Sequence, residues 1–221
     1  MSLVAKANEG GSFTPVPAGM HLARCYRIVD LGSQKTEYMG QIKVQHKIML
    51  QFEVWSEDDQ GAPTLTSKGE PLSISKNYTL TLSDKASLRK DLKTWRGRDF
   101  TPEELRGSEE LRGFELKNVL GVWAMLSVTR DAGRDGKEYT NIQAIMPVPV
   151  HVKKAGLPEP HNTPALYSIE DHDPAIFETL SDNVKKKIMA SPEFQVRTEG
   201  NYSTPSGAFA DEDDTQDIPF N

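Results

Sequence analysis

Ile42-Lys-Val-Gln-His-Lys-Ile-Met-Leu-Gln-Phe-Glu-Val-Trp55 is the clearest strand in the chain. Ile42, Val44, Ile48, Leu50, Phe52 and Val54 hold the even positions. Lys43, Gln45, Lys47, Met49, Gln51, Glu53 and Trp55 hold the odd ones. A period of two kept up this long describes a long strand with one face buried and one in water. His46 falls on the buried parity and is expected to be a core histidine with a hydrogen-bond partner, not a ligand.

Upstream, residues 21–31 form the first strand, ended by Gly32-Ser33. Its imperfect alternation leaves room for a bulge. Residues 1–20, rich in Gly, Ser and Pro, read as a flexible arm. Downstream, a polar loop over 56–70 leads to a third strand from Leu72 to Leu82. A helix follows, with Ser83 as its N-cap, Ala86, Leu88, Leu92 and Trp95 as apolar positions, and Gly97 as its stop. Thr101 caps a short second helix that has Pro102 at its first position, and residues 114–120 add another turn or two. The fourth strand, 122–129, turns Val122, Ala124, Leu126 and Val128 inward and Trp123 outward. The fifth, 137–146, turns Ile142, Ala144 and Met146 inward and Tyr139 outward. Three strands, a helical insert, then a hairpin of two strands is the order of a mainly β, five-stranded OB-fold barrel.

The OB body is therefore placed at residues 21–150. Residues 151–174 are a proline-punctuated linker. Residues 175–197 hold a C-terminal amphipathic helix with Ile176, Phe177, Leu180, Val184 and Ile188 as its apolar stripe, which packs on the body or on a second copy. Residues 198–221 are a disordered acidic tail.

Net charge is −6, but it is unevenly placed. Residues 1–150 carry 20 Lys and Arg against 19 Asp and Glu, whereas residues 151–221 carry 6 against 13. The near-neutral body is thus compatible with a nucleic-acid partner if its cations share a face. The single cysteine, Cys25, permits no internal disulfide and no cysteine-cluster zinc site. The five histidines are scattered, so no metal or other cofactor is expected. No apolar run approaches the ~20 residues of a membrane span, and a soluble, cytoplasmic protein is expected.

The outward positions carry the chemistry. Lys43 and Lys47 precede Trp55 on strand two, while Trp123 and Tyr139 stand on strands four and five. Lys76 and Tyr78 on strand three, with Arg24 and Tyr26 on strand one, extend the set, and Arg96 and Arg98 lie beside Trp95. Aromatic faces for bases and cations for phosphates make a sequence-tolerant single-strand platform. Trp95 itself is expected to plug the core. No phosphate-binding loop, nucleophile elbow or zinc-protease motif occurs, so an enzyme is not expected. A protein-only replication or recombination adaptor built on the barrel is the alternative.

The last eleven residues, Asp211-Glu-Asp-Asp-Thr-Gln-Asp-Ile-Pro-Phe-Asn221, combine five carboxylates with an apolar tip. Charge to steer an encounter and a plug to fill a pocket describe a docking peptide. Asp213, Asp214, Asp217, Ile218, Pro219 and Phe220 are its candidate partner-binding residues. The tip resembles that of bacterial single-stranded DNA-binding proteins, although Asn221 follows the phenylalanine on which that family's pattern ends. The body resembles bacteriophage OB-fold single-stranded DNA-binding proteins. The matching stretches are Ile28-Val-Asp-Leu-Gly32, Tyr78-Thr-Leu-Thr-Leu82, Trp95-Arg-Gly-Arg98 with Phe100-Thr101, and Tyr139-Thr-Asn-Ile142 running into Pro147. Phe177-Glu-Thr-Leu180 and Lys187-Ile-Met-Ala-Ser-Pro192 match further on. The resemblance implies protection of single-stranded DNA during replication, recombination and repair, with partner enzymes recruited by the tip.

Overall fold

A computed structural model of the chain describes residues 14–38, 40–57, 61–106, 113–133, 136 and 138–200. Its seven strands are β1 (Gly19–Tyr38), β2 (Gln41–Glu57), β3 (Pro63–Thr64), β4 (Leu72–Thr79), β5 (Trp123–Ala132), β6 (Glu138–Met146) and β7 (Ala165–Tyr167). They form one open, mainly antiparallel sheet. β1 is its spine. It pairs with β2 along most of its length, with β5 through Gly19–Arg24, and with β7, in parallel, through Arg27–Val29. β4 lies on the other side of β2, and β6 lies beyond β5.

No ladder joins β4 to β6, so the sheet is open where a five-stranded OB-fold barrel was expected. Pro15 and Val16 line the cleft between these two strands together with Ile74 and Tyr139. Val16 is 1% exposed and belongs to the main core, so the arm expected over residues 1–20 is tied down at this point.

Two apolar cores lie on opposite faces of the β1–β2 ladder. Ile28 pairs with Leu50 in the first, and the next pair, Val29 with Met49, belongs to the second. The first core also takes Phe52, Val54, Ala124, Leu126 and Ile145 from the sheet. Leu88, Leu92 and Trp95 of α1 (Ser87–Arg96) close it. Gly97 stops α1 in the left-handed conformation, as expected, but the helix begins three residues later than an N-cap at Ser83 implied. Ser83 instead accepts a backbone bond from Ala86 in the preceding turn. α2 (Pro102–Arg106) has a reciprocal capping box. The Glu104 N–H donates to Thr101 Oγ1 and the Thr101 N–H to the Glu104 carboxylate. A single 3-10 turn follows at Leu116–Val119.

The second core was not anticipated on this face. Met49, on the parity assigned to water, is only 6% exposed beneath Tyr167, Ile169, Leu180 and Ile188. The region read as a linker contains α3 (Val150–Ala155) and β7, and β7 docks directly on β1. The single C-terminal helix is divided into α4 (Pro174–Glu178) and α5 (Asp182–Met189), followed by α6 (Pro192–Gly200). The break at Thr179–Ser181 does not disturb the apolar stripe. Leu180 and Ile188 are buried, and Ile176, Phe177 and Val184 pack around them.

β1 also runs past the glycine expected to end it. Register shifts at Cys25/Arg27 and Asp30/Gly32 bend it without breaking its pairing with β2. Gly32 is required at the second bend. Its φ is +66°, and a Cβ there would lie 2.5 Å from Ser191 Cβ and 2.9 Å from Ile169 Cδ1. A third shift, between Ser127 and Val128, changes parity along β6. Ile145 therefore enters the core, whereas Ala144 and Met146, expected inside, are only half-buried.

One polar cluster ties these parts together. Arg24 Nη1 donates to Glu53 Oε1 at 3.0 Å, and the side chains are 9% and 0% exposed. Arg24 also donates to the carbonyls of Gly121 and Asn162. Asn162 returns its backbone N–H and Nδ2 to Glu53 Oε2, at 2.8 and 2.7 Å. Removing one member would strand a buried charge, at a cost of about 3–5 kcal/mol. Arg24→Met and Glu53→Gln are each expected to lower unfolding free energy by about that amount. The double substitution Arg24→Met/Glu53→Gln is expected to cost less than their sum. Urea titration followed by tryptophan fluorescence measures all three, and additive losses would show that the pair is not coupled.

Candidate nucleic-acid interface

The residues proposed from sequence to meet a ligand fall into three groups. Four belong to the fold. Arg24 is held by Glu53. Tyr26, the extra residue of the first bulge, is 6% exposed, and burial pushes its phenol up to about 12. Tyr78 was placed outward but is 2% exposed in the main core. Its hydroxyl donates to Asp91 Oδ2 at 2.8 Å, and Lys76 Nζ reaches the same oxygen at 2.7 Å. α1 covers this side of β4, and its buried Asp91 consumes both residues. Burial first, then the Asp91 carboxylate, raises the Tyr78 phenol. None of these four side chains presents an open stacking face or an unpaired charge.

Arg96 and Arg98 form the second group. The Arg96 guanidinium lies 4.6 Å from the Phe100 ring and 4.7 Å from that of Phe114, and it pairs with Glu104. Its Nη1 is buried without a hydrogen-bond partner. Arg98 also pairs with Glu104, at 3.0 Å, but its side chain is 58% exposed. The Thr101 N–H, with these two guanidinium groups, holds the Glu104 carboxyl down at about 2. Both arginines line a pocket of about 330 Å³ whose walls include Trp95, Phe114, Asn118 and Val122. Arg96 is thus a structural element of the pocket wall, and Arg98 is the cation it offers to solvent.

The third group remains open on the sheet. Trp55 and Trp123 are half-buried, with ring centroids 4.7 Å apart and planes inclined at 45°. Arg24, paired with both Glu53 and Trp123, defines their face, and Trp55 lies two residues beyond Glu53. Tyr139 is 49% exposed at the far end of the β5–β6 hairpin, opposite Asp131. The run from Trp123 to Asp131 places it roughly 25 Å along the strand from the indoles. Tyr139 lines the β4–β6 cleft, of about 750 Å³, with Gln51, Ser73, Ser75 and Thr140. These polar neighbours were not singled out from sequence. Their signal was available in the alternation Leu72-Ser73-Ile74-Ser75, which turns small polar side chains away from the core.

Lys43 is exposed on the ribbon of β1 and β2 beyond Gly32. Lys47 is half-buried and donates to Gln45 Oε1 and Thr79 Oγ1, at 2.8 and 2.7 Å. His46 has the hydrogen-bond partner expected of it, with Nε2 2.6 Å from Asp30 Oδ1, but its side chain is 35% exposed. Cys25 is buried, which pushes its thiol up to about 12. Among the described residues no group of three or more His, Cys, Asp and Glu could hold a metal ion, and no helix is long and apolar enough to cross a membrane. The tail residues Asp213, Asp214, Asp217, Ile218, Pro219 and Phe220 lie outside the described residues. No protein-family model and no curated protein matches the sequence.

Trp95 divides structural from accessible tryptophan. It is 4% exposed, tilts against Phe52 at 5.7 Å and donates its Nε1–H to the Trp123 carbonyl at 3.0 Å. Trp95→Ala is expected to lower stability by about 3–5 kcal/mol, the usual cost of an aromatic deleted from a core. Thermal or urea unfolding checks this, and a loss below about 1 kcal/mol would contradict its role as a core plug.

Proposed function

We propose that this chain binds single-stranded DNA without sequence preference, as an OB-fold protein of the bacteriophage type, and is not an enzyme. The observation that carries the reading is the Trp55–Trp123 contact. Two indoles leave part of their rings in water on the outer face of the sheet, where burial elsewhere in the fold would have been favourable. A nucleobase can stack on such a surface whatever its identity. The pairings β1–β2, β2–β4, β1–β5 and β5–β6 support the OB reading, as those of a partly open barrel with an unpaired β4–β6 seam. Arg98, Lys43 and Lys47 are the basic residues proposed to follow phosphates. Lys47 would have to exchange its neutral hydrogen bonds for a phosphate oxygen.

Oligo-dT is expected to quench tryptophan fluorescence in the intact protein. Trp123→Ala is expected to lose about 1–3 kcal/mol of affinity while keeping its fold. Binding is also expected to weaken with salt, by a slope of about −0.7 for each phosphate neutralised. Absence of both quenching and dT binding would reject the reading in favour of a protein-only adaptor, and dT affinity unchanged in both Trp55→Ala and Trp123→Ala would reject the tryptophans as its stacking surface.

The acidic tip is proposed to recruit replication, recombination or repair enzymes. Its five carboxylates and Ile218-Pro219-Phe220 support this, being a charged lead and an apolar plug in one short segment. Phe220→Ala is expected to abolish partner capture and leave dT affinity within about twofold, since it removes no charge. A pull-down in which a chain lacking residues 211–221 keeps all its partners would reject the docking role.

A further inference from the structure

Beyond Gly32, β1 and β2 leave the body as a two-stranded ribbon whose register is Lys35 with Val44, Thr36 with Lys43 and Glu37 with Ile42. Residues directly opposite in an antiparallel pair share a face, and that face changes at every step. One face therefore carries Lys35, Glu37, Ile42 and Val44, and the other carries Thr36 and Lys43. Ile42 and Val44 are 68% and 59% exposed, two adjacent β-branched side chains left in water. Lys35 and Glu37 are exposed, and no ion pair among the described residues engages either.

The arrangement of these four side chains is self-complementary. Glu37 and Ile42 form the outer row, and Lys35 and Val44 form the inner row about 7 Å nearer the body. Place a second ribbon face to face, related by a twofold axis lying across the strands midway between the rows. Each outer row then meets the partner's inner row, within the same column. Glu37 faces the partner's Lys35, Lys35 faces the partner's Glu37, and Ile42 and Val44 face each other. Such an isologous contact satisfies every charge and covers every apolar group of the face. A twofold axis running along the strands would instead set each charge against an apolar side chain.

We infer that this ribbon face is a self-association surface whose occupant is the same face of a second copy of the chain. Four side chains from each copy bury far less than the ~1,200 Å² of a stable complex, so the dimer is weak. Its dissociation constant is expected near 0.1 mM, about −5.5 kcal/mol by the standard relation. The inference uses only the ribbon and does not depend on DNA binding.

Sedimentation equilibrium of the full chain from about 10 µM to about 1 mM reads the association directly. The wild type is expected to pass from monomer to dimer across this range, at lower concentration in low salt than in high salt. Lys35→Glu sets two carboxylates against each other and is expected to weaken the dimer at least about tenfold. The double exchange Lys35→Glu/Glu37→Lys restores opposite charges across the axis and is expected to recover wild-type affinity within about threefold. Lys43→Glu makes the same charge change on the other face and is expected to leave association unchanged. Circular dichroism and melting temperature confirm that each variant is folded, which exposed positions permit. A wild type that stays monomeric throughout, a double exchange as weak as Lys35→Glu, or an equal loss from Lys43→Glu would overturn the inference.

Discussion

The buried pair of Arg24 and Glu53 sets the terms for the rest of the structure. Two full charges withdrawn from water need complete hydrogen bonding, because an interior ion pair recovers its desolvation cost only when its remaining polar atoms are satisfied. β1 and β2 supply the charges, and the turn before β5 supplies the Gly121 carbonyl. The remaining bonds come from Asn162, well beyond β6. The chain must therefore return across the outer face of the sheet before it can add β7. That return carries Tyr167 and Ile169 to the side of β1 that holds Val29 and Leu31, and it delivers α4–α6 onto the same core. The C-terminal layer is thus integral to the body, fixed by a polar requirement at one end and an apolar one at the other.

The bulges of β1 let a single strand meet these demands. Without the first, Ile28 and Val29 would exchange faces, because a strand alternates sides at every residue. With them, β1 contributes Ala23, Cys25 and Ile28 to the first core and Val29 and Leu31 to the second, then continues as a ribbon beyond both. Gly32 is where this last change occurs. The approach of Ser191 and Ile169 leaves no room for a side chain at the point where the backbone takes a positive φ.

Local chemistry made much of this legible in the sequence. The parity of Ile48 through Val54, the stop at Gly97, the cap at Thr101 and Trp95 in the core are each decided within a few residues. So is the apolar stripe from Ile176 to Ile188, which survives a break in its helix because the burying surface tolerates one. The remainder depends on which distant segment arrives. Alternation assigns Met49 to the face opposite Leu50, but it cannot say that Tyr167 and Ile188 will cover that face. Lys76 and Tyr78 read as surface residues because nothing near them announces Asp91 on α1. A buried arginine and a surface arginine look alike in a sequence, so Arg24 passed for a phosphate contact. Trp55 and Trp123 could be assigned outward from parity, but their contact could not, since it depends on β1 lying between β2 and β5.

That contact unites the polar cluster and the candidate interface. Trp55 and Trp123 stand on strands flanking β1, so their backbones lie about 10 Å apart across the sheet. Ring centroids at 4.7 Å mean that both indoles lean inward over β1. Beside them on the same face are Arg24 and Glu53, paired directly across the same ladder. The strands beneath them are fixed by the bonds of a buried ion pair, and the rings themselves are only half-buried. A stacking surface gains affinity from rigidity, because little side-chain freedom is left to lose when a ring arrives. The interaction that withdraws Arg24 from any ligand thus fixes the strands that carry the two tryptophans, as the proposed stacking surface requires.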